Sequence, residues 1–286
     1  MPQKDLLNTW RNAQNKKIMK IELNNIYNCD CLDGMKAIPD GSVDAIICDL
    51  PYEVLHKNND KVQWDRLIPF EPLWEQYLRV AKPNAAIVLF CQGMFTAQLL
   101  MSQPKLWKYN LVWEKGRATG FLNANRMPMR SHEDIAVFYR SQPTYNPQMR
   151  KGDSHPRGNG EHKQTNQCYG KFKEQKQKVG ATYDYKNIKV VEPTGECFPM
   201  SVLHFNKEHG ADIWHPTQKP VDLIRWLVRT YTNEGDTILD NCMGSGTTEI
   251  ACIKENRNFI GFELNKEYYE KACKRIQAEQ QQLKLF

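Results

Sequence analysis

The chain has 286 residues, 41% of them hydrophobic, enough for one sizeable core with an insertion or for two small domains. Its net charge is +6, its first residues are polar, and its longest apolar run (residues 85–91) is far too short to cross a bilayer, so a cytoplasmic protein without a membrane partner is expected. Nine scattered cysteines with no Cys-x-x-Cys pair argue against a disulfide framework or a zinc site, and no metal is expected.

Residues 1–20 form a polar tail rich in Asn, Gln and Lys, to which no structure is assigned. Residues 21–27 read as a short strand or hairpin, and residues 31–38 as a short helix with Leu32, Met35 and Ile38 at helical spacing. Asp40-Gly41 turns the chain into residues 43–49, a nearly continuous apolar run of the kind expected for a strand buried on both faces of a parallel sheet. The polar stretch 53–65, which holds Lys57 and Trp64, has the length and composition of a lid or substrate loop. A helix over 70–80, a strand over 85–91 and a helix over 94–101 follow. Residues 108–113 and 135–139 alternate as two strands, with residues 116–133 as a long Arg-containing connection between them.

Hydrophobic periodicity then disappears, and residues 148–190 read as a basic insertion. This stretch carries ten Lys/Arg against four acids, an excess equal to the charge of the whole chain. Tyr169, Phe172, Tyr183 and Tyr185 interleave with the basic residues, the footprint of a nucleic-acid contact, although a solvated loop has a similar composition. Pattern resumes at 201–205. Pro220 is expected to open a helix over 221–232, followed by a strand over 237–240, a glycine loop with a helix, a strand over 258–264 and a closing helix from Lys266. The rhythm predicts an α/β fold with a mixed, mostly parallel sheet and a late antiparallel hairpin, built from residues 21–147 and 191–286.

Two stretches carry chemistry. The first apolar run ends in Asp49-Leu50-Pro51-Tyr52, which sets a carboxylate and an aromatic ring at the carboxyl end of a strand, where open α/β sheets bind ligands. Pro51 keeps the backbone extended and lacks a donor, so nearby carbonyls stay free to accept. Acceptors beside a flat ring suit an amino group on a flat heterocycle; an ordinary Asp-x-Pro turn would look the same in isolation. The second stretch is Asp240 followed by Gly244-Ser245-Gly246-Thr247-Thr248, a strand, glycine loop and helix start that form a generic cradle for a nucleotide-type cofactor. Glu249 stands where a dinucleotide fingerprint has its third glycine, and no Gly-Lys-Ser/Thr follows, which argues against NAD and against an ATP loop. Glu263 closes the next strand, suited to accept from two ribose hydroxyls.

Asp49-Leu50-Pro51-Tyr52, the block His215 to Pro220, Asp240 with its Gly-Ser-Gly-Thr-Thr, and Phe259-Ile260-Gly261-Phe262-Glu263 together resemble the amino-group (N6-adenine/N4-cytosine) DNA methyltransferases. They come in that family's permuted beta order, with the catalytic tetrapeptide before the cofactor loop. Trp64-Asp65, Lys115, His132-Glu133 and Pro199-Met200-Ser201 also fit its pattern. The resemblance implies a Rossmann-like S-adenosylmethionine-dependent methyltransferase sheet. It places the cofactor's amino-acid part on Gly244, Ser245, Gly246 and Thr247 with Asp240, Thr217 and Lys219, its ribose on Glu263 and its adenine near Asp30. It implies that Asp49 and a carbonyl at Leu50 or Pro51 receive the amine of a flipped base stacked on Tyr52. Asp at 49 favours adenine N6 over cytosine N4. The insertion falls at the family's target-recognition region, with Lys57, Trp64, Arg150, Lys151, Lys171, Lys173, Lys176 and Lys178 as DNA contacts.

Two departures stand out: Leu50 replaces the usual Pro, and Asn241-Cys242 replaces Pro-Phe, removing an aromatic contact beside the cofactor. Double-stranded DNA is the implied partner, with a cognate restriction endonuclease and a second copy of the chain as further candidates. The terminal peptide Gln282-Leu283-Lys284-Leu285-Phe286 is similar to peptides that dock on bacterial sliding clamps, although packing on the chain's own core is the commoner fate of such residues. Cytosine-N4 methylation and a DNA-binding homologue without catalysis are the alternative readings.

Overall fold

A computed structural model of the protein describes residues 20–53, 65–152, 196–208 and 213–283. Lys57, Trp64, Lys171, Lys173, Lys176, Lys178 and residues 284–286 lie outside the described residues. The elements in chain order are β1 (Asn25–Asn28), α1 (Cys31–Met35), β2 (Val43–Asp49), α2 (Phe70–Val80), β3 (Ala81–Cys91), α3 (Met94–Ser102), β4 (Trp107–Thr119), β5 (Arg130–Phe138), β6 (Arg150–Lys151), β7 (Glu196–Cys197), β8 (Val202–His204), α4 (Val221–Tyr231), β9 (Thr237–Asp240), α5 (Thr247–Lys254), β10 (Asn258–Glu263) and α6 (Lys266–Leu283).

The chain divides into two compact units, Met1–Gln148 with Met200–Phe286, and Met149–Pro199. In the smaller unit, β6 and β7 pair antiparallel, with Arg150 opposite Cys197, and both Arg150 and Lys151 are exposed.

In the larger unit, eight strands form one sheet in the order β1-β10-β9-β2-β3-β5-β4-β8. The run from β1 to β3 is parallel, and β5 lies antiparallel between β3 and β4. The sheet is mostly parallel with a late hairpin, as its sequence rhythm predicts. The central strands are apolar on both sides because both faces are covered. Ala45 and Ile47 of β2 pack toward Leu223 and Leu227 of α4, while Ile46 and Cys48 pack toward Leu73 and Tyr77 of α2. Each such buried Ile contributes roughly 1.5–3 kcal/mol. α2 buries Leu73, Trp74, Tyr77 and Val80, the stripe that a 3.6-residue period produces.

Several boundaries differ from the sequence pattern. β4 runs on to Thr119 and β5 begins at Arg130, so both ends of the long connection expected over 116–133 belong to the hairpin, with Glu114 opposite His132 and Thr119 opposite Arg130, and only residues 120–129 connect the strands. Backbone hydrogen bonds carry that extension, so it leaves no apolar period in the side chains. α4 begins at Val221 as expected, with Pro220 as its N-cap, and ends at Tyr231, one residue short of the expected 232. Strand order, not strand direction, reverses between the parallel neighbours β2 and β9: β2 leads outward to β3, and β9 leads the other way to β10. Such a switch point opens a crevice at the carboxyl ends of the strands.

Candidate active site

A cavity of about 980 Å³ opens at that crevice. Its lining includes Asp30, Asp49, Leu50, Pro51, Tyr52, Thr217, Lys219, Asp240, Gly244, Ser245, Thr247 and Glu263. Sequence-distant stretches therefore meet in one space, which has the size range of small-molecule sites.

The tetrapeptide is held from several sides. Asp49 is the last residue of β2. Its Oδ1 accepts from the Tyr52 hydroxyl at 2.6 Å, and its Oδ2 is paired with the Lys219 ammonium. The Tyr52 ring stacks on Phe95, with centroids 4.8 Å apart. Asp65 Oδ1 accepts from the backbone N–H groups of Tyr52 at 2.9 Å and Glu53 at 3.0 Å. Glu53 has φ +57°, a left-handed conformation that costs roughly 1–2 kcal/mol, and this carboxylate clamps the turn that needs it. Leu50, in place of the usual proline, is buried in the core beneath the turn.

Lys219 also faces Glu133, with Nζ 3.3 Å from Oε2, and Lys115 Nζ lies 2.6 Å from the other oxygen of Glu133. Lys115, Glu133, Lys219 and Asp49 thus form a buried row of alternating charge. Burial alone would lower Lys219, but the carboxylates of Asp49 and Glu133 outweigh it and hold the ammonium charged. Burial raises Asp49, and the Lys219 charge pulls against it. Burial would raise Glu133 too, but Lys219 and Lys115 overcome it and keep the group low.

The glycine loop follows β9. Gly244 and Gly246 have φ +50° and +74°, which admit glycine most readily. A side chain on Gly244 would also meet the His215 ring at 3.3 Å, and one on Gly246 would meet Ile276 of α6 at 3.1 Å. The loop's glycines thus let His215 and α6 pack close. Glu263 Oε2 accepts from Gly244 N at 3.0 Å and its Oε1 from Asn265 N at 2.7 Å. The Ser245 and Thr247 hydroxyls meet at 3.0 Å, and Arg275 of α6 donates to Ser245 O and Thr247 Oγ1. Asp240 accepts from Cys242 N at 3.1 Å, and burial pushes its carboxyl up to about 6. Asp30 caps α1 by accepting from Leu32 N and Asp33 N. Thr217 Oγ1 lies 3.3 Å from His215 Nδ1, and burial together with the Lys219 charge lowers His215 to about 4, so its ring is neutral near pH 7. Where the usual Pro-Phe is missing, the Asn241 side chain accepts from the Tyr77 hydroxyl, and Cys242 packs against the thiols of Cys31 and Cys48.

Lys219 sits on the Asp49 carboxylate as well as beside the loop. From sequence, Glu133, Lys115 and Asp65 are expected only as residues that fit the family's pattern, with no role in the site, and Phe95 is not singled out. The signal for the first two is the register of the hairpin, which puts Trp113 opposite Glu133. Arg150 and Lys151 belong to the smaller unit.

The DNA methylase family profile matches residues 43–274. Type II methyltransferase M.HpaI of Haemophilus parainfluenzae is 26% identical over 87% of this chain and 73% of its own length. Type II methyltransferase M1.MboII of Moraxella bovis is 28% identical over 88% of this chain and 96% of its own. Among solved structures, the M1.HpyAVI–SAM complex is similar with a TM-score of 0.56 at 25% identity, covering 88% of this chain and 98% of that one. PvuII DNA methyltransferase (cytosine-N4-specific) shares the fold, with a TM-score of 0.61 at 14% identity over 90% of this chain and 87% of its own. Sheet order, motif order and family profile agree: the chain belongs to the DNA methylase family of N6/N4 amino-methyltransferases.

Proposed function

We propose that this methyltransferase acts on the exocyclic N6 amine of an adenine turned out of double-stranded DNA, with S-adenosylmethionine as methyl donor. The observation that carries the reading is that Asp49 and the glycine loop line one cavity of about 980 Å³, room enough for a nucleoside cofactor and one base side by side. The residues present suit that cofactor. Asp240, Glu263 and Asp30 offer carboxylates, and Gly244, Ser245 and Thr247 of the loop with Thr217 offer backbone groups and hydroxyls, while Gly246 faces Ile276 and lets the loop pack on α6. When bound, S-adenosylmethionine supplies an electrophilic methyl group on a sulfonium.

An aromatic amine is a poor nucleophile because its lone pair is delocalised into the ring. Asp49 accepts one N–H of the amine, and a main-chain carbonyl at Leu50 or Pro51 accepts the other. The nitrogen is drawn toward tetrahedral geometry and its lone pair is released for attack. Positioning and electrostatics supply the rate, with no covalent enzyme intermediate. Asp49 also takes the proton that the methylated nitrogen must shed. Tyr52, backed by Phe95, is the stacking platform for the base. Taking the base out of the duplex costs roughly a few kcal/mol.

DNA contacts follow the charge. Lys171, Lys173, Lys176 and Lys178 of the inserted segment, with Arg150 and Lys151, hold phosphates, and Lys57 and Trp64 are further DNA contacts. The tip of the β4–β5 hairpin adds Arg117, Arg126 and exposed Phe121 and Leu122, near the Thr119 and Arg130 that line the cavity. An aspartate at position 49 supports adenine as the target. The test is digestion of DNA treated with the protein and S-adenosylmethionine, followed by identification of the nucleoside. N6-methyl-2′-deoxyadenosine is the expected product; N4-methyl-2′-deoxycytidine would overturn the choice of base, and unmodified DNA the reading as a whole.

A further inference from the structure

Asp49 faces a conflict that the proposed reaction must resolve. Both of its oxygens are engaged, Oδ1 by the Tyr52 hydroxyl and Oδ2 by the Lys219 ammonium. A target amine that docks on this carboxylate competes with a buried cation for the same oxygen. Lys219 is 7% exposed and cannot retreat into solvent, so it needs a second acceptor within reach. One is present. Glu133 Oε2 is buried and makes no hydrogen bond, and Lys219 Nζ lies 3.3 Å from it, close in charge but not yet in hydrogen-bond geometry. The rest of Glu133 is immobilised, because Lys115 holds Oε1 at 2.6 Å and β5 fixes its backbone against β4.

We propose that Glu133 is a positioning residue that takes Lys219 from Asp49 when the target amine arrives, freeing one carboxylate oxygen while the buried charges stay paired. This rests on the reading of Asp49 given above and adds a role for Lys219, Glu133 and, as anchor, Lys115. Four groups of alternating sign allow the shift with no change in net charge, so the move is a short swing of one ammonium between two fixed carboxylates. Leaving either charge unpaired in the interior would be far more costly.

The test is single-turnover methyl transfer at saturating DNA and cofactor, beside cofactor affinity by calorimetry, for Glu133→Gln, Glu133→Asp, Lys219→Met and the double variant Glu133→Gln/Lys219→Met. Expected is a rate loss of about tenfold or more for Glu133→Gln with cofactor Kd within about twofold of wild type, and partial recovery in Glu133→Asp, which keeps the charge. Because Glu133 acts through Lys219, adding Glu133→Gln to Lys219→Met costs less than about threefold. An unchanged Glu133→Gln rate, or the same loss in both backgrounds, overturns the proposal while leaving the proposed function standing. A Glu133→Gln protein that loses cofactor binding in step with rate also overturns it, since a merely structural role would do that. Wild-type protein that transfers no methyl group to DNA overturns the underlying reading as well.

Discussion

Asp240 is fully enclosed where β9 gives way to the glycine loop, and burial pushes its carboxyl up to about 6. In the unfolded chain the same group titrates near 3.9. Between about pH 4 and 6 the folded protein therefore keeps a proton that the unfolded chain releases. Its contribution to stability is complete below pH 4 and lost as pH rises through 6, roughly 3 kcal/mol in all. Asp240→Asn cannot ionise and escapes that loss. Its Tm relative to wild type is expected to climb across this window and level off above about pH 7, while affinity for S-adenosylmethionine falls. A Tm difference equal at pH 4 and pH 7 would contradict the assignment. Single residues of this kind were legible in the sequence because each ends an apolar run: Asp49, Asp240 and Glu263 are acids where a buried strand stops. Their partners were marked only by the family resemblance, without a role. Lys115 and Glu133 are ordinary charged residues on an alternating hairpin until register places them together and burial makes the pairing obligatory.

Elements position these residues by close packing. α1 carries the capping Asp30 and lies against β10 through Gly34, where an added Cβ would stand 2.4 Å from the Phe262 ring. Gly34→Ala is expected to cost about 1–3 kcal/mol by overpacking and to push α1 off the sheet. Cofactor Kd should rise several-fold, with a much smaller change in the rate of the bound complex; equal effects on both would point to a general loss of folding instead. Helical periods gave away α2, where Leu73, Trp74, Tyr77 and Val80 recur on one face, and α4, whose expected stripe Val221, Ile224, Leu227 and Val228 packs on the core together with Leu223. The continuation of β4 to Thr119 and of β5 back to Arg130 had no such signal, because its side chains are largely exposed and only the ladder holds it.

The whole molecule depends on bringing β2 and β9, far apart in sequence, side by side at the switch point of the sheet. That adjacency is invisible to periodicity and was expected only through the resemblance of the ordered motifs. The charge distribution, in contrast, is plain in the sequence, and it predicts salt-sensitive DNA binding. Each phosphate neutralised contributes about 0.9 to the slope of log K against log salt. Replacing Lys171, Lys173, Lys176 and Lys178 together by Gln should reduce the slope on duplex DNA by roughly 3 to 4. A slope that does not move would return the segment to the role of a solvated loop.

The account turns on the Asp49 carboxylate as the acceptor that makes an aromatic amine reactive. Its most direct test is the single-turnover rate of methyl transfer to DNA by Asp49→Ala, measured beside the variant's affinity for S-adenosylmethionine. The expected result is a rate reduced by about 10²–10³-fold or more, with cofactor Kd within a few-fold of wild type. A variant that transfers methyl groups within about tenfold of the wild-type rate would contradict the mechanism at its centre.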